Sequence, residues 1–317
     1  MNRQIYEFRI IGTGLSAPSR VVTNDDIRLT KNPEIDSAWV AATLGINERR
    51  IVEDGIMTSD LAAEAARSAL IRAAIAPNSI DLLIVATTTP DVQAPATACI
   101  VQAKAGLTNA VAFDIKAVCS GFLFGLTTAS AYLKAGLAKR ALVIGADTFS
   151  RVTDWRRRDC VFFGDGGGAA IIERTQDSRS FFDAELYSDG AQADAFTIPA
   201  GRPFSMHGKA VFDAAAYAVP LCARRVIERN GLSPDDIDIV VPHQPSISLL
   251  RAIAHETGVP FAKFRTNMGK YANTAGATIP MVLHEAIEAG ALRNGDLVMF
   301  AAAGAGFTAG AALYRWH

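Results

Sequence analysis

Two stretches of this chain recur loosely further along it. Ala73–Pro90 (AAIAPNSIDLLIVATTTP) is echoed by Arg229–Pro245 (RNGLSPDDIDIVVPHQP): a helix end, a Ser/Pro/Asp turn, Ile-Asp, a buried strand and another turn. Leu133–Asp147 (LKAGLAKRALVIGAD) is echoed by Ile287–Gly304 (IEAGALRNGDLVMFAAAG), where a helix ends near glycine and a basic turn leads into an apolar strand. Both echoes recur at an offset of about 155 residues, too long for a solenoid and suited to a duplicated α/β half. Helix–turn–strand units look alike in any α/β chain, but two echoes in register favour duplication. The strand candidates Leu82–Ala86, Ala141–Ile144, Ile237–Val241 and Leu297–Ala301 are continuous apolar runs, as strands covered on both faces are. The helix candidates Ser59–Ala74 and Gly121–Ala135 are rich in alanine, which suits close packing between layers. The expected organisation is two similar halves, 1–172 and 173–317, with no linker between them and a shared core.

Composition narrows the class. Half of the 317 residues are apolar, enough for a large core split between two fused units. The 31 Lys and Arg nearly balance the 32 Asp and Glu, so no global basic field points to nucleic acid. Cys99, Cys119, Cys160 and Cys222 lack CxxC spacing, which argues against a disulfide framework or a zinc site. No run of about 18 apolar residues suggests a membrane span. MNRQIYEFRIIGTG leads into a strand pattern without the features of a signal peptide. A reduced, cytoplasmic, soluble enzyme is expected.

Three polar positions carry chemistry. Cys119 lies in DIKAVCSGFLFGL, where a strand gives way to a helix whose N-terminus favours a thiolate. His243 lies in VVPHQPS and Asn273 in YANTAGATIP, turns from which a base and hydrogen-bond donors can serve a nucleophile. Taken singly, Cys119 is more often a buried core thiol than a nucleophile, and His243 fits a satisfied turn histidine and Asn273 an N-cap for the helix at Thr274. His207, His255, His284 and His317 receive no catalytic role. The glycines of FGDGGGAAII lack the lysine and spacing of a P-loop, so close packing is their expected purpose.

With these residues in these contexts, the chain resembles the ketoacyl synthase III family of the thiolase-like superfamily. The resemblance also runs through VVTNDDI, TLGINERRI, TTTP with the later Pro95, AVCSGF and GAGFTAGAAL, in order and over essentially the whole chain. It implies a five-layer αβαβα fold, a homodimer and a Cys-His-Asn site reached by a tunnel for a phosphopantetheine arm. Cys119 would take an acyl group from acyl-CoA, with its own amide and that of Ala305 as the oxyanion hole. His243 and Asn273 would stabilise the enolate formed when a malonyl thioester loses carbon dioxide. Coenzyme A enters as a thioester substrate; no other cofactor and no metal are implied.

Departures from the family pattern bear on substrates. The resemblance assigns an adenine sandwich to Trp39 and Arg151, while a second arginine of the family is Thr43 here. Arg156, Arg157 and Arg158 offer compensation or a solvated basic turn. Gly208 and Phe212 match tunnel residues, beneath a shortened lid between Phe196 and Phe212. Basic positions that dock an acyl carrier protein have become Asp213, Ser248, His255 and Glu256, which weakens that docking; Arg224, Arg225 and Arg251 offer a different patch. Ala94 replaces an aromatic that closes the acyl pocket from the partner subunit, so a roomier pocket is expected. The first functional reading is decarboxylative condensation giving a β-ketoacyl thioester, for fatty-acid initiation or a specialised starter pathway. The second is acyl transfer from Cys119 to a small nucleophile. The third, a non-catalytic acyl-binding subunit, sits poorly with a retained Cys-His-Asn set.

Overall fold

The computed structural model describes residues 7–317; Met1–Tyr6, the start of the segment tested against a signal peptide, lie outside the described residues. The first sheet is built from β1 (Glu7–Ser16), β2 (Leu82–Ala86), β3 (Val111–Ile115), β4 (Arg140–Thr148) and β5 (Asp165–Thr175), in the order β1-β5-β4-β2-β3. β2 pairs in parallel with β3 and β4, whereas β5 is antiparallel to β1 and β4. The second sheet takes β6 (Phe182–Ser188), β7 (Ile239–Pro242), β8 (Leu297–Gly304) and β9 (Thr308–Arg315), in the order β7-β8-β9-β6. β7 and β8 are parallel and the other pairs antiparallel.

The two orders are the same order. β2 and β4, the strands of the first-half echoes, occupy the places that β7 and β8 occupy in the second sheet. Where the first sheet adds β3, the second has only an isolated parallel bridge between Val240 and Phe264. The chain passes from one sheet to the other between Thr175 and Phe182, so residue 172 still lies inside β5. The helix expected over Ser59–Ala74 runs Thr58–Ala73, and the strand expected from Ile237 begins at Ile239, after a turn at Pro234–Asp236.

Helices complete five layers. α1 (Thr58–Ala73) and α2 (Thr97–Ala105) cover the outer face of the first sheet; α4 (Gly208–Arg229) and α5 (Ile247–Thr257) cover the second. α3 (Gly121–Lys134) and α6 (Thr278–Glu288) lie between the sheets and touch strands of both. The alanines of α1 let it settle onto β1: a Cβ on Gly14 would lie 2.1 Å from the Ala65 carbonyl oxygen. The central layer is shared, joining Phe8, Ile84, Phe122 and Leu126 of one half to Val241, Ile279, Phe300 and Tyr314 of the other. The Ile10 amide donates to the Tyr314 hydroxyl at 2.9 Å, a buried bond between halves. This shared core fixes two helix starts, those of α3 and α6, against each other.

Candidate active site

A tight turn, Val118–Ser120, precedes α3 and carries Cys119, which is buried. Val118 adopts φ +48°, a left-handed backbone that a β-branched residue takes only under constraint. The constraint comes from the other half. A Cβ on Gly304 would lie 2.2 Å from the Ala117 carbonyl oxygen, so β8 ends pressed against the cysteine turn. Ser120 Oγ and Thr308 Oγ1 lie 2.7 Å apart, and the Thr308 hydroxyl is 3.2 Å from the same Ala117 oxygen. These contacts bring Ala305, just after β8, beside Cys119.

His243 follows β7 directly, its amide donating to the Ala301 carbonyl of β8 at 2.8 Å. Its Nδ1 lies 2.8 Å from Thr278 Oγ1 at the start of α6. Asn273 precedes a second tight turn, Ala275–Ala277, in which Ala275 also has φ +48°. Asn273 Oδ1 accepts from the Ala275 amide at 2.8 Å, so the side chain does brace the turn as an N-cap would. That leaves Nδ2 as the donor whose hydrogen-bonding influence favours the charged form of Cys119. Cys119, His243, Asn273, Ala305, Gly208 and Phe212 line one cavity of about 190 Å³.

The electrostatics correct one expectation. Cys119 stands before α3, yet its thiol is pushed up rather than down: burial dominates, and the Asp147 carboxylate adds to it. The Asn273 bond and the cysteine's own amide oppose this without overcoming it. Burial alone depresses His243 to about 3, so the ring is neutral. A neutral thiol beside a neutral imidazole needs proton transfer during attack, which a ring nitrogen facing the cavity can provide.

Four phenylalanines form a wall behind Cys119. Phe149 stacks on Phe163 at 4.2 Å, Phe196 stacks on Phe204 at 5.7 Å, and the pairs meet edge-on at 5.1 Å. They are buried in one cluster with Cys119 and Ala275. Ala94, by contrast, is exposed in the loop before α2 and does not line the cavity of its own chain.

Trp39 is covered by an arginine other than the one that the resemblance assigns to the adenine sandwich. The Arg151 guanidinium donates to the Ile56 carbonyl and the Met57 sulfur. The guanidinium over the Trp39 ring belongs to Arg158, 5.2 Å from its centroid. Arg157 is tied to Asp159 and the Phe204 carbonyl. On the outer helices, Asp213 pairs with Lys209, Ser248 Oγ lies 3.1 Å from Ser246 Oγ, and His255 approaches Glu256. The three arginines of the alternative patch are also engaged: Arg224 with the Glu256 carbonyl, Arg225 with Glu185 and Arg251 on the Phe261 ring.

Known proteins can be set against this geometry. The family model for 3-oxoacyl-[acyl-carrier-protein (ACP)] synthase III matches residues 113–190, and that for its C-terminal part matches 227–316. A beta-ketoacyl-[acyl-carrier-protein] synthase III from Erythrobacter litoralis is 42% identical, covering 97% of this chain and 98% of its own. The chain belongs to the 3-oxoacyl-[acyl-carrier-protein] synthase III family. As a family member it is an acyltransferase of the condensing type with a thiolase-like fold. The crystal structure of the synthase III from Aquifex aeolicus, 37% identical, superposes with a TM-score of 0.94 over 98% of this chain and 100% of that one. The priming beta-ketosynthase of the R1128 polyketide pathway, 27% identical, gives 0.92 over 100% and 98%.

Within this family frame, several supporting residues escaped sequence reasoning. Thr278, Ser120 and Thr308 hold the site turns, and Asp147 is wholly buried between the Thr87–Thr89 turn and the Gly276 amide. Their one visible signal was polarity inside runs of small or apolar residues. The glycines of FGDGGGAAII do serve packing: a Cβ on Gly168 would lie 2.8 Å from the Met281 amide of α6.

Proposed function

We propose that the chain transfers an acyl group from acyl-CoA to Cys119 and condenses it with a malonyl thioester to give a β-ketoacyl thioester. The carrying observation is the convergence of Cys119, His243, Asn273 and Ala305, drawn from both halves, on one small cavity. The amides of Cys119 and Ala305 take the oxyanion of the first transfer, and Asn273 Nδ2 donates to the malonyl thioester oxygen as carbon dioxide leaves. Gly208 and Phe212 line the passage for the pantetheine arm. Trp39 with Arg158 takes the adenine, in place of Trp39 with Arg151.

A second copy of the chain fits the free edge of the first sheet. Among the described residues β3 pairs only with β2, and Val111 on it is 64% exposed. Ala94 lies in the exposed loop nearby in sequence, so its short side chain widens the acyl pocket of the neighbouring copy rather than its own. The Phe149, Phe163, Phe196 and Phe204 wall closes the opposite side. A cytoplasmic location goes with acyl-CoA as substrate; among the described residues no helix is long and apolar enough to cross a membrane. Carrier protein docks weakly, since Asp213, Ser248 and Glu256 offer no positive charge on the outer helices where an acidic partner would land.

Mass spectrometry of the protein after incubation with acyl-CoAs of rising length, then with malonyl-CoA or malonyl-carrier protein, tests this reading. An acyl adduct on Cys119 that disappears with release of carbon dioxide supports condensation. An adduct discharged by small alcohols or amines without carbon dioxide supports the second reading, to which the acidic docking positions lend weight. No adduct on Cys119 refutes both.

A further inference from the structure

The ring of His243 has one protein hydrogen-bond partner among the described residues, the hydroxyl of Thr278 at 2.8 Å from Nδ1. That hydroxyl is also 3.0 Å from the carbonyl oxygen of Ala275. Both side chains are buried, so water does not readily substitute for either partner. A hydroxyl has one proton to give and lone pairs to receive. The carbonyl can only accept, so the threonine proton goes to Ala275 and the threonine oxygen accepts from Nδ1–H. Reversing the hydroxyl would satisfy Nδ1 but set two oxygens against each other at 3.0 Å with no proton between them. The imidazole is neutral, so a proton on Nδ1 leaves Nε2 with a lone pair.

We infer that Thr278 is a positioning residue that holds His243 in the Nδ1–H tautomer, leaving Nε2 as the base that faces Cys119 across the cavity. This rests on the acyl-transfer reading of the site. The Cys119 S–H proton passes to Nε2 as the sulfur bonds to the acyl carbonyl carbon. The carbon–sulfur bond to coenzyme A then breaks, and the departing thiolate takes the proton from Nε2. The ring returns to its starting form, and the same hydroxyl can serve the next turnover. During condensation Nε2 donates only while it holds a proton, so Asn273 is the resident donor to the enolate oxygen. The Ala275 carbonyl belongs to the Asn273 turn, so one hydroxyl couples the tautomer of the base to the placement of that donor.

The test is nitrogen NMR of the full-length protein labelled with 15N-histidine, with His243 assigned by its loss in His243→Gln. The expected spectrum shows a protonated Nδ1 and an unprotonated Nε2 in the resting protein. Thr278→Val is expected to shift the ring toward the Nε2–H form and to slow acyl loading of Cys119 by about ten- to a hundredfold, part of the roughly hundred- to ten-thousandfold that a general base contributes. Thr278→Ser should restore both. A resting proton on Nε2 in the unmodified protein overturns the inference, and this measurement does not depend on any variant folding. So does loading by Thr278→Val within about twofold of normal. If the protein forms no acyl-Cys119 at all, the functional reading fails, and the spectrum still reports the tautomer independently.

Discussion

Replacing Asp147 with asparagine probes the electrostatics beneath Cys119. Its Oδ1 accepts from the Thr88 amide at 2.7 Å, the Thr89 amide at 3.1 Å and the Thr89 hydroxyl at 2.9 Å, while Oδ2 accepts from the Gly276 amide at 3.1 Å. Despite these donors, burial raises its pKa from 3.8 to about 6. A rise of that size means the charged form weakens the fold at pH 7 by about 3 kcal/mol relative to the protonated form. The unfolded carboxyl titrates near 3.8 and the folded one near 6, so the folded state holds the extra proton between those values. Stability from this group therefore rises as pH falls through that window. The side chain of Asp147→Asn cannot titrate, and its amide nitrogen would face the Gly276 N–H, costing about 1–3 kcal/mol at every pH. Urea denaturation of both proteins from pH 7 to pH 4 should show the native protein gaining about 2 kcal/mol over the variant, most of the full shift. Parallel curves would refute the reasoning. The same substitution removes a negative charge beside Cys119, so the pH profile of iodoacetamide alkylation should move to lower pH.

Other consequences are equally direct. Arg158→Ala should raise the KM for an acyl-CoA about fivefold through loss of a stacking contact of about 1 kcal/mol, with kcat little changed; an equal effect from Arg151→Ala would contradict the Trp39–Arg158 pairing. Phe204→Leu should move acyl-CoA preference toward longer chains by loosening the four-ring wall, and an unchanged preference in a competition assay would show that the wall does not limit the acyl group. Gly145→Ala would place a Cβ 2.0 Å from the Gly276 carbonyl oxygen, and a loss of about 3 kcal/mol or more is expected in denaturation. A fully stable variant would show that the two halves are not in rigid contact there.

How much of this was legible in the sequence depended on the range of the signal. The buried strands announced themselves as apolar runs because both faces are covered, and Leu82–Ala86 is a strand over those same residues. Cys119, His243 and Asn273 stood out because each sits where a polar, reactive group interrupts small or apolar neighbours. The arginine that lies on Trp39 was not legible: Arg151 and Arg158 are close in sequence, and only the path of the chain through Phe149–Val161 brings Arg158 onto the ring. The thiol was misjudged for a related reason. A helix start is visible in a sequence, whereas the depth of burial and a carboxylate 28 positions away are not. The phenylalanine wall joins four separate segments that no local pattern links.

The matching strand order of the two sheets explains why the site lies where it does. Val118 and Ala275 are equivalent positions, each opening a tight turn before a central helix and each held at φ +48°. Gly145 of β4 presses on the Gly276 carbonyl inside one turn, and Gly304 of β8 presses on the Ala117 carbonyl just before the other, so a strand end of each half bears on the turn of its counterpart. Thr87 after β2 and His243 after β7 are likewise equivalent. The two halves thus present matching helix starts to one another across the central layer, and the sequence then breaks the symmetry. One start received the thiol; the other received the amide of Asn273 and the hydroxyl of Thr278; only the second half placed a histidine after its parallel strand. A nucleophile and its supporting donors need fixed relative positions but different chemistry. Two copies of one rigid scaffold, each contributing a strained turn, supply the first, and divergence of a few residues supplies the second.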